Sequence, residues 1–522
     1  MIFCQLALDI YLYPAQVDKK IQFALYIGIY PAREVFLNRI IGRKEELVVL
    51  SKVLASTEPA FLAIYGRRRI GKTYLIKNYF RDKGLFFHLT GIQDATLDVQ
   101  LKNFTVEFSD LFLKGKEMTK PKDWFAAFQL LRKEIEKVPR SLKVIVFFDE
   151  LPWLSSPRSM FLQALDHLWN RYLSEISNVI LVVCGSAASW MIDNIINHKG
   201  GLHGRVTKEI RLLPFTLKET EEFLQERSIR LERKQILELY MCLGGVAKYL
   251  SYLERGKSVP ELVGELCFSY NAPLLAEFHK LYRSLFYEHD EHVQIVKVLA
   301  HSKTGLSYQE IVKQTGLSTG GTLSLKIEEL KQSGFIAEIP LYDEGEKSSL
   351  YLLIDEYSLF YLTWNEGVSS LDLQSRGSDY WSRQRNTQRW KSWTGCAFEC
   401  LCLKHVEGIK SELGIGSVQT KTSKWRYVPP RKTKETGAEI DLVIDRADGC
   451  INLCEIKFYD DIFTISKEYS EKLHNKRMCF ERVTETRKST FITIIATYGV
   501  RHNEHYSATV DKELTMDALF AK

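Results

Sequence analysis

Residues 66–73 have the composition and spacing of a loop that binds phosphate groups. The segment reads Gly66-x-x-x-x-Gly71-Lys72-Thr73, follows the apolar stretch 61–65 and leads into a predicted helix. Glycines let backbone N–H groups approach a phosphate closely, the lysine contacts the β and γ phosphates, and the threonine hydroxyl reaches Mg²⁺. We therefore expect a nucleotide site formed by Gly66, Arg67, Arg68, Arg69, Ile70, Gly71, Lys72, Thr73 and Tyr74.

Two carboxylates end the apolar run 143–150, KVIVFFDE, which is typical of a strand buried on both faces. Asp149 is expected to bind Mg²⁺, directly or through water, and Glu150 to polarise the water that attacks the γ phosphate. A glycine turn without a ligand and an acidic cap on a strand are the competing interpretations. Both motifs in one chain favour an ATP-binding, ATP-hydrolysing site with Mg²⁺.

Two further polar residues follow later strands. The apolar run 179–184 ends in Gly185 and Ser186. Ser186 is expected beside the Asp149 strand, where it contacts the γ phosphate or the attacking water, or else serves as a helix N-cap. Arg205 precedes the predicted strand 209–213. It is either an arginine finger that reaches a neighbouring subunit's γ phosphate or a solvated surface residue.

The composition is that of a globular protein with several domains. The chain has 522 residues, of which 45% are hydrophobic and 26% charged, so no large disordered part is expected. A net charge of +6 means that nucleic-acid contacts must come from local clusters. Ten scattered cysteines favour a reducing cytoplasm. The apolar start carries charges, and its longest apolar piece, 21–30, is too short to cross a bilayer. We therefore expect no membrane association and take 1–35 as an extension.

The order of elements predicts an α/β fold. Strands alternate with helices up to residue 215, which indicates a parallel sheet with helices on both faces. Residues 217–286 have a helical pattern. Three short helices and two strands then follow, at 291–300, 308–315, 322–333, 335–339 and 350–354.

Three helices and a hairpin are typical of a winged helix. Its third helix, 322–333, has two lysines against two glutamates. Winged helices also serve as protein contacts, so base reading and partner binding both remain open.

The segment 437–457, GAEIDLVIDRADGCINLCEIK, is predicted to form two strands joined by a turn. Glu455 and Lys457 are two residues apart and therefore project from one face, and Asp441 on the preceding strand lies beside them. Carboxylates that hold Mg²⁺ and a lysine that positions water are what phosphodiester hydrolysis needs. Asp441 and Glu455 are the expected metal ligands, and Glu399 on the predicted helix 395–405 completes the site. A surface hairpin with a Glu-Lys pair is the alternative.

Basic residues interleaved with aromatic ones surround this segment, at 375–391 and 421–434. Cationic grooves with aromatic platforms suit the backbone and bases of nucleic acids. The first cluster contains Arg376, Arg383, Arg385, Arg389, Lys391, Tyr380, Trp381 and Trp390. The second contains Lys421, Lys424, Arg426, Arg431, Lys432, Lys434, Trp425 and Tyr427. Solvated charged faces are the competing interpretation.

The motifs GRRRIGKT, VIVFFDE, LVVCGS and GRVTKEIRLLPF, in this order, resemble the AAA+ superfamily. They are most similar to the prokaryotic signal-transduction-type (STAND) ATPases, in which a P-loop core precedes a helical lid, a winged helix and a PD-(D/E)XK nuclease-like domain. The resemblance implies a core at 36–215, a lid at 216–286, a winged helix at 287–366 and an α/β restriction-endonuclease-like domain at 370–522.

The resemblance also implies residue roles. It gives ATP binding and hydrolysis to Lys72, Thr73, Asp149 and Glu150, and the finger position to Arg205. It places Asp441, Glu455, Lys457 and Glu399 on the nuclease-fold positions. In the lid the chain departs from the family: Gly244-Gly245-Val246-Ala247 stands where the pattern has Gly-Gly-x-Pro.

Two functions are consistent with these features. The first is an ATPase whose nucleotide state controls a C-terminal domain that binds, and in one version cuts, DNA. The second is a nucleotide-dependent switch that binds DNA or a partner protein and has an inert nuclease-like domain. ATP, DNA, a partner protein and further copies of the chain are the expected partners.

Overall fold

The structure is a computed structural model that describes residues 40–197, 201–202, 204–286, 288–342, 348–369, 373, 379–385, 387–430 and 436–521. The predicted extension 1–35, Arg376 and the basic residues Arg431, Lys432 and Lys434 lie outside the described residues. No helix of the described part is long and apolar enough to cross a membrane.

The first third of the described chain alternates helices and strands. The helices are α1 (Lys44–Ala55), α2 (Lys72–Phe80), α3 (Leu97–Phe112), α4 (Trp124–Glu136), α5 (Leu151–Leu154), α6 (Phe161–Arg171) and α7 (Ala188–Met191). The strands are β1 (Ala60–Tyr65), β2 (Leu85–Thr90), β3 (Val144–Asp149), β4 (Val179–Gly185) and β5 (Lys208–Arg211). All five pair in parallel, in the order β2-β3-β4-β1-β5. The predicted parallel sheet is confirmed.

The sheet is covered on both faces, as uniformly apolar strands require. Every residue of β1, β3 and β4 is buried. Apolar residues of α1 and α2 pack on one face, and residues of α3, α4 and α6 pack on the other. Because parallel strands end at one edge, the segments that follow β1, β3 and β4 are brought together.

A helical region follows, with α8 (Leu217–Glu226), α9 (Arg233–Leu243), α10 (Ala247–Leu250), α11 (Val259–Val263) and α12 (Glu277–Leu285). Next come α13 (His289–Ala300), α14 (Tyr308–Thr315), α15 (Gly321–Gln332), β6 (Ile336–Pro340), β7 (Ser349–Leu353) and α16 (Glu356–Phe360). β6 and β7 form an antiparallel hairpin. The three helices and the hairpin thus lie within two residues of their predicted bounds, and their assignment as a winged helix stays a prediction.

The C-terminal part contains a second five-stranded sheet. Its helices are α17 (Asp379–Gln384), α18 (Gln388–Lys404), α19 (Val406–Glu412), α20 (Lys467–Thr484) and α21 (Glu504–Thr509). Its strands are β8 (Thr420–Tyr427), β9 (Ala438–Arg446), β10 (Cys450–Lys457), β11 (Ser489–Ala496) and β12 (Lys512–Leu514). The order is β12-β11-β10-β9-β8. The pairs β8–β9 and β9–β10 are antiparallel, and the pairs β10–β11 and β11–β12 are parallel. Apolar residues of α18 cover one face, and Leu473 and Phe480 of α20 cover the other.

A buried ion pair joins the phosphate-loop segment to the downstream half of the chain. The Arg67 guanidinium pairs with the Asp355 carboxylate, and the two side chains are 2% and 3% exposed. Asp355 is also the N-cap of α16 and accepts from the Ser358 N–H at 3.0 Å. Burial lowers the pKa of Arg67, but Asp355 more than offsets this and the pKa is raised. The Asp355 carboxylate therefore stabilises the buried positive charge of Arg67.

We expect Asp355→Ala to destabilise the protein by about 3–5 kcal/mol, because it leaves a buried guanidinium unpaired. Asp355→Asn keeps an oxygen that can accept from the Ser358 N–H but removes the negative charge. Its effect on stability therefore measures the ion pair without the contribution of the N-cap. Glu222→Ala, which breaks an exposed pair with Lys44, should cost less than about 1 kcal/mol. Urea unfolding followed by circular dichroism measures all three. An Asp355→Asn protein as stable as the wild type would contradict this role.

A second cross-chain contact depends on the protonation of His405. The Leu217 N–H, at the start of α8, donates to His405 Nε2 at 3.3 Å. Since Nε2 accepts, the proton lies on Nδ1, which donates to the Leu401 carbonyl at 3.0 Å. Burial and the neighbouring Lys404 lower the pKa of His405 to about 4. Protonation of Nε2 would remove the acceptor that holds α8.

Stability should therefore fall as the pH drops from 6.5 towards 4. In this window the unfolded chain takes up a proton that the folded chain does not, so the free energy of unfolding decreases by up to about 3 kcal/mol. His405→Gln keeps an acceptor without this titration and should flatten that part of the profile. Thermal unfolding at a series of pH values measures it, with the exposed His301→Gln as control. An unchanged profile in His405→Gln would refute the assignment.

Candidate functional site

Two glycines in the loop between β1 and α2 have positive φ angles, a backbone conformation that other residues rarely adopt. Gly66 has φ 145°, and a Cβ there would collide with the Leu212 carbonyl oxygen. Gly71 has φ 98° and stands directly before α2. Both conformations favour glycine, because a Cβ is strongly disfavoured there. The predicted strand, loop and helix are therefore all present.

Lys72 is buried at the first position of α2. Its ammonium donates to the carbonyls of Gly66 and Arg67, both at 2.8 Å, and to Ser186 Oγ at 3.1 Å. The lysine thereby connects the phosphate loop to the end of β4. A cation held at the mouth of a loop of this geometry is suited to bind phosphate oxygens.

Thr73 and Asp149 are in direct contact. The Thr73 hydroxyl donates to Asp149 Oδ2 at 2.8 Å, although the two residues are 76 positions apart. Burial raises the pKa of Asp149, but hydrogen bonds from His88, Thr73 and Cys184 outweigh it and lower the pKa overall. The carboxylate is thus anionic at neutral pH. A hydroxyl and a carboxylate side by side are oxygen ligands of the kind that Mg²⁺ prefers.

Glu150 and Ser186 form the third contact of the site. Ser186 Oγ donates to Glu150 Oε1 at 2.6 Å, and the Ser186 N–H donates to Oε2 at 3.3 Å. Glu150 has φ 49°, in the left-handed region, which costs a non-glycine residue about 1–3 kcal/mol. Ser186 does not act as an N-cap, because that position of α7 is Ala187. Ser186 instead orients the Glu150 carboxylate.

The helical region contacts the loop at the start of α10, directly after Gly244, Gly245 and Val246. α10 begins at Ala247, and the Lys248 N–H donates to the Arg69 carbonyl at 3.1 Å. Arg69 also pairs with Glu277 of α12 at 2.6 Å. Arg68 lies over the Trp153 ring, 5.1 Å from its centroid. The start of α10 therefore touches the loop without a proline.

Arg205 is not brought to these residues. It is exposed in the turn before β5, and among the described residues no hydrogen bond or ion pair joins its side chain to the loop. The interpretation as a finger for a neighbouring subunit therefore stays a prediction, as does the surface interpretation.

The C-terminal residues Asp441, Glu455 and Lys457 lie together, as predicted. Strand register places Leu442 opposite Cys454, so Asp441 is level with Glu455. Asp441 Oδ2 accepts from the Ile456 N–H at 2.9 Å, and Lys457 Nζ donates to Glu455 Oε2 at 3.5 Å. Burial lowers the pKa of Lys457, but Tyr469, Asp441 and Glu455 together raise it. Lys457 is therefore a cation, not a neutral base.

Glu399 of α18 belongs to the same cluster. Burial and then the Asp441 carboxylate raise the pKa of Glu399 to about 8. Lys424 of β8 lies 3.8 Å from Glu399 and is 2% exposed. Glu399 therefore holds its proton more readily than an ordinary glutamate does.

Four residues of this cluster were not expected there. Tyr469 and Lys476 of α20 both contact Glu455, the tyrosine hydroxyl at 3.2 Å and the lysine as an ion pair. Their seven-residue spacing puts them on one helix face. Glu439 and Lys424 are coupled electrostatically to Asp441 and Glu399. Glu439 is two residues from Asp441 on one strand, a signal available in the sequence, whereas Lys424 was assigned to a nucleic-acid surface.

Metal binding by this cluster stays a prediction. Within the described ranges, no group of three or more His, Cys, Asp or Glu side chains is arranged to hold a metal ion. Asp441 and Glu455 are the available pair, and carboxylates are suitable ligands for Mg²⁺. Glu455 is already engaged by two lysines, so a metal would have to compete with Lys457 and Lys476 for it.

The prediction that aromatic side chains of the two basic clusters stack on bases is wrong for three tryptophans. Trp381, Trp390 and Trp425 are 1%, 7% and 3% exposed, and a buried ring cannot stack on a base. Trp381 and Trp390 pack on each other with ring centroids 5.2 Å apart. The mixture of apolar and basic residues instead reflects helices that pack on one side.

Charges near these rings are also partly neutralised. Arg385 pairs with Glu238, and Lys424 lies next to Glu399. On α15, Lys326 pairs with Glu291 at 3.3 Å and Lys331 with Glu338 at 2.6 Å. Both lysines of α15, the third helix of the predicted winged helix, thus already have carboxylate partners, which weakens the case for DNA contacts by this helix.

Comparison with known proteins is consistent with this geometry. Residues 40–253 match the model of a family described as an ATPase domain predominantly from Archaea. A Methanocaldococcus jannaschii protein designated MJECL04 is 27% identical over 210 residues, which are 40% of this chain and 43% of the relative. The chain thus spans less than half of the length of the curated relative it matches.

Two solved structures resemble the fold at a distance. A Walker-type ATPase of Pyrococcus abyssi is 19% identical with a TM-score of 0.44, over 62% of this chain and 96% of that one. The ORC2 protein of Aeropyrum pernix is 15% identical with a TM-score of 0.38, over 63% of this chain and 96% of that one. The family match supports a P-loop ATPase domain in residues 40–253.

Proposed function

We propose that residues 40–253 bind and hydrolyse ATP with Mg²⁺. The contact between Thr73 Oγ1 and Asp149 Oδ2, at 2.8 Å, carries this proposal, because it joins the two side chains that a nucleotide-bound metal needs. When bound, Mg²⁺ neutralises charge on the β and γ phosphates. Lys72 binds the same phosphates from the loop.

Glu150 supplies the base in this proposal. The Glu150 carboxylate takes a proton from a water whose oxygen bonds to the γ phosphorus, the bond to the β–γ bridging oxygen breaks, and ADP leaves. Ser186 holds both carboxylate oxygens, so the base has a defined direction. The strained backbone at Glu150 is a cost that such a role would explain.

We expect Glu150→Gln to retain ATP binding and to lower hydrolysis about 100-fold or more, because glutamine keeps the Ser186 contact but takes no proton. Lys72→Ala should lose both binding and hydrolysis. Lys77→Ala, more than one turn farther along α2, is the matched control and should behave as the wild type. Phosphate release and binding of a fluorescent ATP analogue measure the two properties. ATP turnover that persists in Lys72→Ala would refute the proposal.

For the C-terminal part we propose a nuclease-like domain that binds DNA. The cluster of Asp441, Glu455 and Lys457 supports it, because two carboxylates and an ammonium on two adjacent strands suit metal-assisted phosphodiester hydrolysis. In this proposal the ATPase state gates access to the cluster, and the chain works as an oligomer if Arg205 acts on a neighbour. Domain bounds of 216–286, 287–366 and 370–522 are part of the proposal.

A specific observation favours the rival function, a switch that cuts nothing. Lys476 and Lys457 both neutralise Glu455, so the cluster is stable without a metal. In this version the C-terminal domain binds DNA or a partner protein, and the ATP site alone is catalytic.

Plasmid and single-stranded DNA, with and without ATP, in Mg²⁺ and then Mn²⁺, distinguish the two. If the domain cuts, Asp441→Ala should abolish cleavage, because Asp441 is an expected metal ligand. Asp445→Asn, on the same strand but paired with Lys488, should cut as the wild type does. Cleavage unaffected by Asp441→Ala would refute the assigned site. No cleavage alongside normal ATP hydrolysis would establish the switch instead.

A further inference from the structure

A cavity of about 300 Å³ lies where α13, β7, α16 and α18 meet. This volume is at the lower end of pockets that hold small molecules. None of the nucleotide-loop residues lines it, and neither does Asp441 or Glu455. The lining residues are Leu299, Ala300, His301, Ser302, Lys303, Leu352, Leu353, Leu359, Thr363, Arg389, Ser392, Trp393, Cys396 and Cys400.

The walls of the cavity are mainly apolar. Leu352, Leu353 and Trp393 are buried residues of the central core. Trp393 is only 7% exposed and contributes to the wall of the cavity.

The rim of the cavity is basic. Lys303 and Arg389 are exposed, and neither forms an ion pair with a carboxylate in the part of the chain that the structure describes. Lys303 donates to Ser392 Oγ at 3.2 Å, and Arg389 lies over the Trp364 ring, 4.5 Å from its centroid. No described lining residue is acidic. The site therefore carries net positive charge.

The two thiols in the cavity add no negative charge. Burial raises the pKa of Cys400 to about 12, and burial with the nearby Glu399 raises the pKa of Cys396. Both are neutral thiols at physiological pH. Apolar walls, neutral thiols and two rim cations that have no carboxylate partner among the described residues together suit a molecule with an apolar body and one anionic end.

We propose that this cavity binds a small organic anion. Its apolar ring or short chain packs against Leu359 and Trp393, and its carboxylate, sulfonate or phosphate lies at Lys303 and Arg389. The cavity shares no lining residue with the nucleotide loop or with Asp441 and Glu455.

Titration of the full chain with 8-anilinonaphthalene-1-sulfonate tests the proposal, because its fluorescence rises in an apolar site and its sulfonate supplies the anion. We expect Lys303→Glu and Arg389→Glu each to weaken binding about tenfold or more, which corresponds to about 1.4 kcal/mol. Ala300→Phe, which fills the cavity, should weaken it as well. Lys391→Glu, two residues from Arg389 on α18 but outside the cavity, is the matched control and should leave binding within about twofold.

Competition identifies what the cavity recognises. AMP or naphthalene-1-sulfonate should displace the probe, and inorganic phosphate at the same concentration should not, because it has no apolar body. If inorganic phosphate displaced the probe as well as AMP and naphthalene-1-sulfonate do, the proposal would be overturned. Equal loss in Lys391→Glu, or no loss in Lys303→Glu, would overturn it too. If Lys72→Ala abolished probe binding, the probe would be in the nucleotide loop, and the cavity would be excluded.

Discussion

The ion pair between Arg67 and Asp355 is the contact on which the relation between the two halves of the chain depends. A guanidinium that is almost fully buried is stable only with its counter-charge in place. Arg67 belongs to the phosphate loop and Asp355 caps α16, 288 positions later. In the observed conformation the loop therefore depends on the start of α16 for the counter-charge of Arg67.

The proposed ATP site consists of residues that no single element supplies. Lys72 and Thr73 start α2, Asp149 ends β3, Glu150 follows it, and Ser186 follows β4. Hydrogen bonds of 2.6–3.1 Å join them into one network. The parallel sheet is the reason, because it brings the ends of these strands to one edge. Arg69 and Glu277 extend the network to α12, so changes at the loop bear directly on the helical region.

The C-terminal cluster shows how neighbouring charges decide what each carboxylate can do. Burial and the Asp441 carboxylate raise the pKa of Glu399, whereas Glu455 pairs with Lys457 and Lys476. In the proposed nuclease-like domain, a metal on Glu455 would have to displace a lysine, and this competition separates a cutting domain from an inert one.

Features that depend on local pattern could be predicted from the sequence. Gly66 to Thr73, the apolar run before Asp149 and the strands around Asp441 could be located from spacing alone, because strands and helices have fixed periods. Which distant residues meet became known from the folded chain. Asp355 on Arg67, Lys476 on Glu455 and the burial of Trp381 and Trp390 depend on packing between segments far apart in the chain. The residue pattern within a segment does not show which other segment covers it. For this reason the base-stacking role predicted for Trp381 and Trp390 was wrong, and the ion pairs of Asp355 and Lys476 were not predicted.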